Sequence, residues 1–272
     1  MQKTKAVWPW VLGVLVVGAA GWWLFRDDLR SLYPTRPTPA AEVRPDGDEP
    51  APADPVAAPA VPQIQHPLDL EAAADPALPA LGDSDASAWG ALAELFPTDG
   101  VLALVLRDHL IQRLVAHVDN LTQPSVTASS LALRPVPGAL QLEQDEAGSR
   151  LGRDNAARYA PYVQAFTAVD ADVLAAAYVR FYPLIQQAYV ELGHVDGYFN
   201  DRLVAVIDHL LQAPEPQRPL AVEPDERGKY RFTDPALQSL SVGQKALLRL
   251  DAEQARAVKQ QLRAIRAAVT RG

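Results

Sequence analysis

The sequence predicts a mainly α-helical protein: an N-terminal transmembrane helix, a disordered Pro/Ala-rich tether, and a compact helical domain with one or two small β-hairpins. Three observations predict this. Residues 6–25 carry no charge, half of the 24 prolines fall between Pro34 and Ala80, and after Gly82 apolar residues recur at helical spacing. The chain divides accordingly into a cytoplasmic N-terminus (1–5), a span (6–25), a linker (26–81) and a helical extracytoplasmic domain (82–272).

The span is about as long as the 20 residues an α-helix needs to cross a hydrocarbon core of ~30 Å. Trp8 and Trp10 at one end and Trp22 and Trp23 at the other suit the two membrane interfaces. Lys3 and Lys5 precede it without a nearby acid, whereas Arg26 and Arg30 are accompanied by Asp27 and Asp28, so the N-terminus is expected in the cytoplasm. A single-pass membrane protein that displays everything after Arg26 on the far side of the membrane follows as the expectation. The competing reading is a signal peptide cleaved near Ala19-Ala20-Gly21; the apolar run continues past that point through Trp22-Trp23-Leu24-Phe25, as a span would.

The tether has almost no aliphatic periodicity and cannot bury enough apolar surface to offset the entropy of ordering. Its prolines favour extended polyproline II, with a reach of at most about 140 Å at ~3.1 Å per residue. Such a segment serves as a spacer towards a distant partner or as a plain linker.

In the domain, residues 85–96 predict a short helix ending at Pro97. Val101, Leu102, Val105, Leu106, Ile111, Leu114, Val115 and Val118 predict one longer helix capped by Thr98 and ending near Asn120. Prolines and glycine between Ser125 and Leu151 predict a loop closing in a small hairpin. Helices are expected again over 154–168, over 171–192 behind Asp170, and over 198–212 behind Gly197. Pro183 should kink or split the second of these. A second hairpin is expected from 220–223 against 229–232, and a last helix behind Asp251. That helix carries the apolar line Ala255, Val258, Leu262, Ile265 and Val269, and the basic stripe Arg256, Lys259, Arg263 and Arg266, read as a solvated face.

Composition excludes several classes of function. There is no cysteine, hence no disulfide, thiolate metal site or thiol nucleophile. With 25 Lys+Arg against 33 Asp+Glu, the main surface is not a nucleic-acid footprint. The common nucleophile, phosphate-loop, dinucleotide and zinc-protease motifs are missing, so no cofactor and no catalytic residue is implied. His109, Arg113 and His117 share one helical face, but the intervening Arg repels a cation, and ordinary surface histidines are expected. Asp196 to Asp201 offers oxygen ligands in a turn without the spacing of a calcium loop; a helix-capping role for Asn200 or Asp196 is expected instead.

The unusual composition lies between Arg158 and Arg202, which holds six of the eight tyrosines. The candidate binding residues are Arg158, Tyr162, Arg180, Tyr182, Gln186, Tyr189, Tyr198, Asn200 and Arg202. Tyr and Arg combine apolar bodies with fixed donors, which suits recognition of peptide, carboxylate or sugar. The bland alternative makes these tyrosines core residues.

Arg180-Phe181-Tyr182-Pro183-Leu184-Ile185-Gln186-Gln187-Ala188-Tyr189, Tyr198-Phe199-Asn200-Asp201-Arg202-Leu203 with Ile207-Asp208-His209-Leu210-Leu211, and Gly243-Gln244-Lys245-Ala246-Leu247-Leu248-Arg249 resemble the bacterial family known as domain of unknown function 3014. The resemblance covers most of Trp89 to Arg266 and implies a proteobacterial envelope protein; it implies no activity. Two functions stay open. One is a non-enzymatic module reaching a protein or peptidoglycan partner; the other is an envelope hydrolase or transglycosylase built from non-local carboxylates such as Glu191, Asp196, Asp201 or Asp208.

Overall fold

Local capping signals start several of the helices where the sequence places them. In the computed structural model, which describes residues 63–71, 75–96, 99–127, 130–146, 148–226 and 228–271, Asp170 accepts the amides of Asp172 and Val173 and opens a helix over Ala171–Glu191. Asp251 forms a capping box with Gln254 and opens another over Ala252–Val269. In chain order the helices are α1 (Asp85–Leu95), α2 (Asp99–Leu102), α3 (Leu110–Asn120), α4 (Asn155–Thr167), α5 (Ala171–Glu191), α6 (Phe199–Leu211), α7 (Pro235–Gln238), α8 (Val242–Arg249) and α9 (Ala252–Val269). The strands are β1 (Leu142–Asp145), β2 (Gly148–Leu151), β3 (Ala221–Pro224) and β4 (Tyr230–Phe232). The expected span over residues 6–25 lies outside the described residues; among those described, no helix is long and apolar enough to cross a membrane.

The helical core forms because α9 packs against α4, α5 and α6, and α3 against α5 and α6, each through its apolar stripe. Val258, Leu262, Ile265 and Val269 of α9 are buried there, as the apolar line predicts. The basic stripe is only partly solvated. Lys259 is buried and donates to the Ala213 carbonyl at 2.7 Å and to Glu215 at 2.9 Å, and Arg266 grips Asp208 with two bonds of 2.6 and 2.9 Å. The long lysine stem reaches over the helix flank to a carbonyl that needs a donor.

The two hairpins are present and join. β2 pairs with β3 through Ser149 opposite Val222, so the four strands make one antiparallel sheet in the order β1-β2-β3-β4. One face covers a second apolar cluster of Leu140, Leu151, Leu220, Val222 and Phe232 around Leu248 of α8. All eight residues of α8 are buried, which makes it the hinge of contact between sheet and helices. Gly243 permits this: a Cβ there would lie 2.4 Å from Leu210 Cδ2 and 2.9 Å from the Leu121 carbonyl oxygen.

Two expectations fail in an instructive way. The single helix from Thr98 to Asn120 is broken into α2 and α3, although Val101, Val105, Ile111, Leu114, Val115 and Val118 are all buried as predicted. Between the helices the main chain pairs with residues 132–134 instead of itself: Leu106 N–H donates to the Ala132 carbonyl and Arg134 N–H to that of Leu104. His109 then takes a left-handed conformation (φ 51°), and Asp85 of α1 receives the amides of His109 and Leu110, capping α3 from another element. Of the kink or split expected at Pro183, the split does not occur: the helix runs unbroken from Ala171 to Glu191. The ring lies on an exposed position of α5, whose buried face on either side (Tyr178, Phe181, Tyr182, Ile185, Ala188, Tyr189) holds the helix together.

Candidate functional site

The densest network of polar side chains in the candidate region joins the second half of α5 to the start of α6. Tyr182, 1% exposed, donates its hydroxyl to Gln186 Oε1 at 2.9 Å and accepts the Asn200 amide at 3.2 Å. Gln186 accepts the Phe199 amide at 2.8 Å and donates to the Gly197 carbonyl at 2.7 Å, so one glutamine sets the turn that begins α6. Burial raises the pKa of the Tyr182 hydroxyl, with the Asn200 amide opposing; it therefore stays protonated and serves as donor and acceptor.

This framework aims three groups at a segment more than 120 residues earlier. Asp201 accepts the amide of Gln65 on Oδ2 at 3.0 Å and that of His66 on Oδ1 at 2.7 Å. Asn200 donates its Nδ2 to the His66 carbonyl at 2.8 Å and to the Val269 carbonyl at 3.0 Å, and Tyr198 accepts the Leu68 amide on its hydroxyl at 3.1 Å. Residues 65–68 thus form a strap held by its main chain. Farther along, Asp75 pairs with Arg180 through two nitrogens at 2.6 Å, and Leu68 and Leu78 pack against the helical core. The sequence places Gln65, His66, Leu68, Asp75 and Leu78 in the linker; the structure holds each of them against the domain. The hydrogen bond from the Ala77 amide and the Arg180 guanidinium lower the pKa of the Asp75 carboxyl, so the strap is fastened at neutral pH by charge as well.

Beside the strap lies a groove of 660 Å³, with Ile64, Tyr189, His194, Val195, Asp201 and Arg202 among its lining residues. Tyr189 stacks on His194 at 4.2 Å between ring centroids, and Asp119 of α3 joins His194 (3.2 Å) to Arg202 (2.6 Å). Arg202 also donates to the Asp119 carbonyl and to Thr122, tying α6 to the end of α3. Val195 and Ile64 are 72% and 54% exposed, and Leu192 nearby is also exposed, which leaves apolar side chains on the rim.

Of the nine candidate residues, Tyr182, Gln186, Tyr189, Tyr198, Asn200 and Arg202 come together here, and Arg180 holds the strap's far end. Arg158 and Tyr162 do not join them. Arg158 fastens the 136–137 loop through the carbonyls of Val136 and Pro137, and Tyr162 packs on the helical core. Asp201, Asp119 and His194 complete the site; no local motif marks them, because their partners are distant in sequence. The expected capping role of Asn200 or Asp196 is replaced: Tyr198 occupies the cap position of α6, and Asn200 is fully buried with its amide turned to the strap and to Val269. His117 is likewise a buried residue, not a surface one, with a backbone hydrogen bond to Ser130 and no partner on Nε2.

The four candidate carboxylates divide by partner. Glu191 accepts from Gln187, Asp208 pairs with Arg266, Asp201 holds the strap, and Asp196 is an exposed residue on the same groove as Asp201. Among the described residues no group of three or more His, Cys, Asp or Glu could hold a metal ion.

The family called protein of unknown function (DUF3014) matches residues 110–266. The chain belongs to the DUF3014 family. The match covers α3 to most of α9, so the DUF3014 region contains Tyr182, Gln186, Asn200, Asp201 and Arg202, while the strap they hold lies before it. No curated protein and no solved structure matches the chain.

Proposed function

We propose that this DUF3014 protein is a non-enzymatic interaction module of the bacterial envelope that captures an extended segment of a partner protein. In this reading residues 6–25 anchor it in the inner membrane with the N-terminus in the cytoplasm, and the proline-rich tether lets the periplasmic domain reach its partner. The observation that carries the reading is the way Asp201, Asn200 and Tyr198 hold residues 65–68: four contacts, all to main-chain groups of the strap. Contacts of that kind do not depend on the side chains of the segment held, and are how extended peptides are gripped in general. The neighbouring groove, with its exposed apolar rim and the Tyr189–His194 stack, supplies the side-chain selectivity that main-chain contacts lack. Asn200 Oδ1, buried without a hydrogen-bond partner, leaves acceptor capacity in the same place.

In this reading the strap is the resident occupant and a partner segment displaces it. The test is capture from crosslinked envelopes by the full-length protein. Gln65→Pro with His66→Pro removes the two amide donors from the strap and leaves the domain untouched, so capture of a protein partner should rise. Asp201→Ala removes the acceptor and should abolish it. Capture unchanged by both variants overturns the reading, and recovery of peptidoglycan strands alone replaces the protein partner with the wall.

A further inference from the structure

A second cavity, of 380 Å³, opens where the start of α4, the approach to β3 and the α8–α9 junction meet, and it shares no lining residue with the strap groove. Leu220 and Leu250 form part of its apolar wall, while Arg153, Arg218 and Arg249 bring three guanidinium groups to it; Asp251 is the only acid in the lining. The Asp251 carboxylate is engaged in capping α9, accepting the Gln254 amide at 2.7 Å.

Arg249 is the decisive residue. It is only 5% exposed, its Nε has no hydrogen-bond partner, and it forms no ion pair among the described residues. Burial opposes its charge most; the Tyr159 hydroxyl, hydrogen-bonded to the guanidinium, favours it, and neighbouring Arg158 opposes it. Two other buried cations are held by named acceptors: Lys259 has Glu215 and the Ala213 carbonyl, and Lys245 has the carbonyls of Pro124 and Gln238. Arg218 is half-buried, donates Nη1 to the Leu248 carbonyl at 2.8 Å, and forms no ion pair among the described residues. A guanidinium withdrawn from water without a counterion is costly, and an anion entering beside it offsets that cost.

We infer that this cavity binds a small carboxylate with a short apolar body, its oxygens accepting from Arg249 and Arg218 and its apolar part lying against Leu220 and Leu250. The planar, multi-donor guanidinium suits a carboxylate better than a point charge would. The volume lies in the range of small-molecule sites, roughly 300–1,000 Å³. A free organic acid and the C-terminal residue of a peptide present the same chemistry.

The test is calorimetric titration of the full-length protein with four probes: N-acetyl-leucine, its neutral amide, inorganic phosphate, and an N-acetylated tripeptide ending in leucine. N-acetyl-leucine should bind saturably and its amide should not. Arg218→Gln should weaken binding by about tenfold or more, consistent with loss of a charge-assisted bond. Because Arg249→Gln changes a buried position, Arg218→Gln, with its fold checked by circular dichroism, is the deciding variant. Tripeptide binding as tight as that of the free acid assigns the site to a peptide terminus; binding of the free acid alone assigns it to a small metabolite-sized acid. Equal binding of acid and amide, binding of phosphate alone, no binding of either acid, or affinity unaltered in Arg218→Gln each overturns the inference.

Discussion

The carboxylate of Asp201 accepts the main-chain amide of His66 at 2.7 Å, across 135 positions of sequence. Its other oxygen takes the amide of Gln65, so a single side chain fixes two consecutive residues of the strap. Asp201→Asn keeps the shape but removes the charge and turns one acceptor into a donor facing an N–H. Hydrogen exchange at Gln65 and His66 should accelerate by about tenfold, as loss of a charge-assisted bond implies. Exchange in α8 and α9 should not change. Unaltered protection at 65 and 66 would show that the strap is held by other means.

Arg202 joins α6 to the end of α3 through the Asp119 carboxylate, the Asp119 carbonyl and Thr122. Arg202→Ala leaves the largely buried Asp119 carboxylate with His194 alone and the Asp119 carbonyl without its donor. Both ionic side chains keep some solvent contact, so the expected loss is about 1–2 kcal/mol, well below that of a dry ion pair. Denaturant midpoints with an unchanged slope would measure it. Partner capture and stability should fall together in this variant, which makes it a poorer probe of binding than Asp201.

Two glycines in helices should respond to alanine with opposite signs. At Gly90, in α1, an added Cβ meets nothing within 4 Å, and the better helix propensity of alanine should stabilise the fold by about 0.5–1 kcal/mol. At Gly243 the same methyl would run into Leu210 and the Leu121 carbonyl, and overpacking should cost about 1–3 kcal/mol. Thermal unfolding of the pair would test this. A stabilised Gly243→Ala would mean that α8 sits farther from α6 than the structure places it.

His117 is buried, and burial lowers its pKa to about 4 from an ordinary value of 6.5, against a backbone hydrogen bond to Ser130 that raises it. The unfolded chain therefore binds a proton at this residue before the folded one does. Stability should be complete above about pH 6.5 and decline as pH falls towards 4, by at most about 3 kcal/mol from this group. His117→Gln should flatten that part of the pH profile. A profile of the same steepness in the variant would assign the acid sensitivity to carboxylates.

The tyrosines and arginines between Arg158 and Arg202 divide in a way that composition does not foresee. Tyr159, Tyr178, Tyr182 and Tyr189 are buried, which is the bland alternative, yet the Tyr182 hydroxyl sets the network that positions Asn200 and, through it, the strap. Arg158 shares the composition of the region but holds a separate loop. Residue type singles out a stretch of chain; only the direction of each side chain in the folded helices separates those that gather at the strap from their neighbours.

What depends on interactions within a turn or two of chain was readable from the sequence. The Asp170 and Asp251 caps, the apolar line of α9, both hairpins and the run of buried positions from Val101 to Val118 belong to this group, because capping and amphipathic burial are set by residues a few positions apart. What depends on pairing across the chain was decided by tertiary structure alone. The joining of the hairpins at Ser149 and Val222, the break between α2 and α3 beside Leu133, the seating of residues 65–68 on α6 and the burial of Arg249 with its Nε unpartnered are of this kind. Main-chain donors and acceptors are the same at every residue, so sequence periodicity carries no mark of which distant segment will satisfy them.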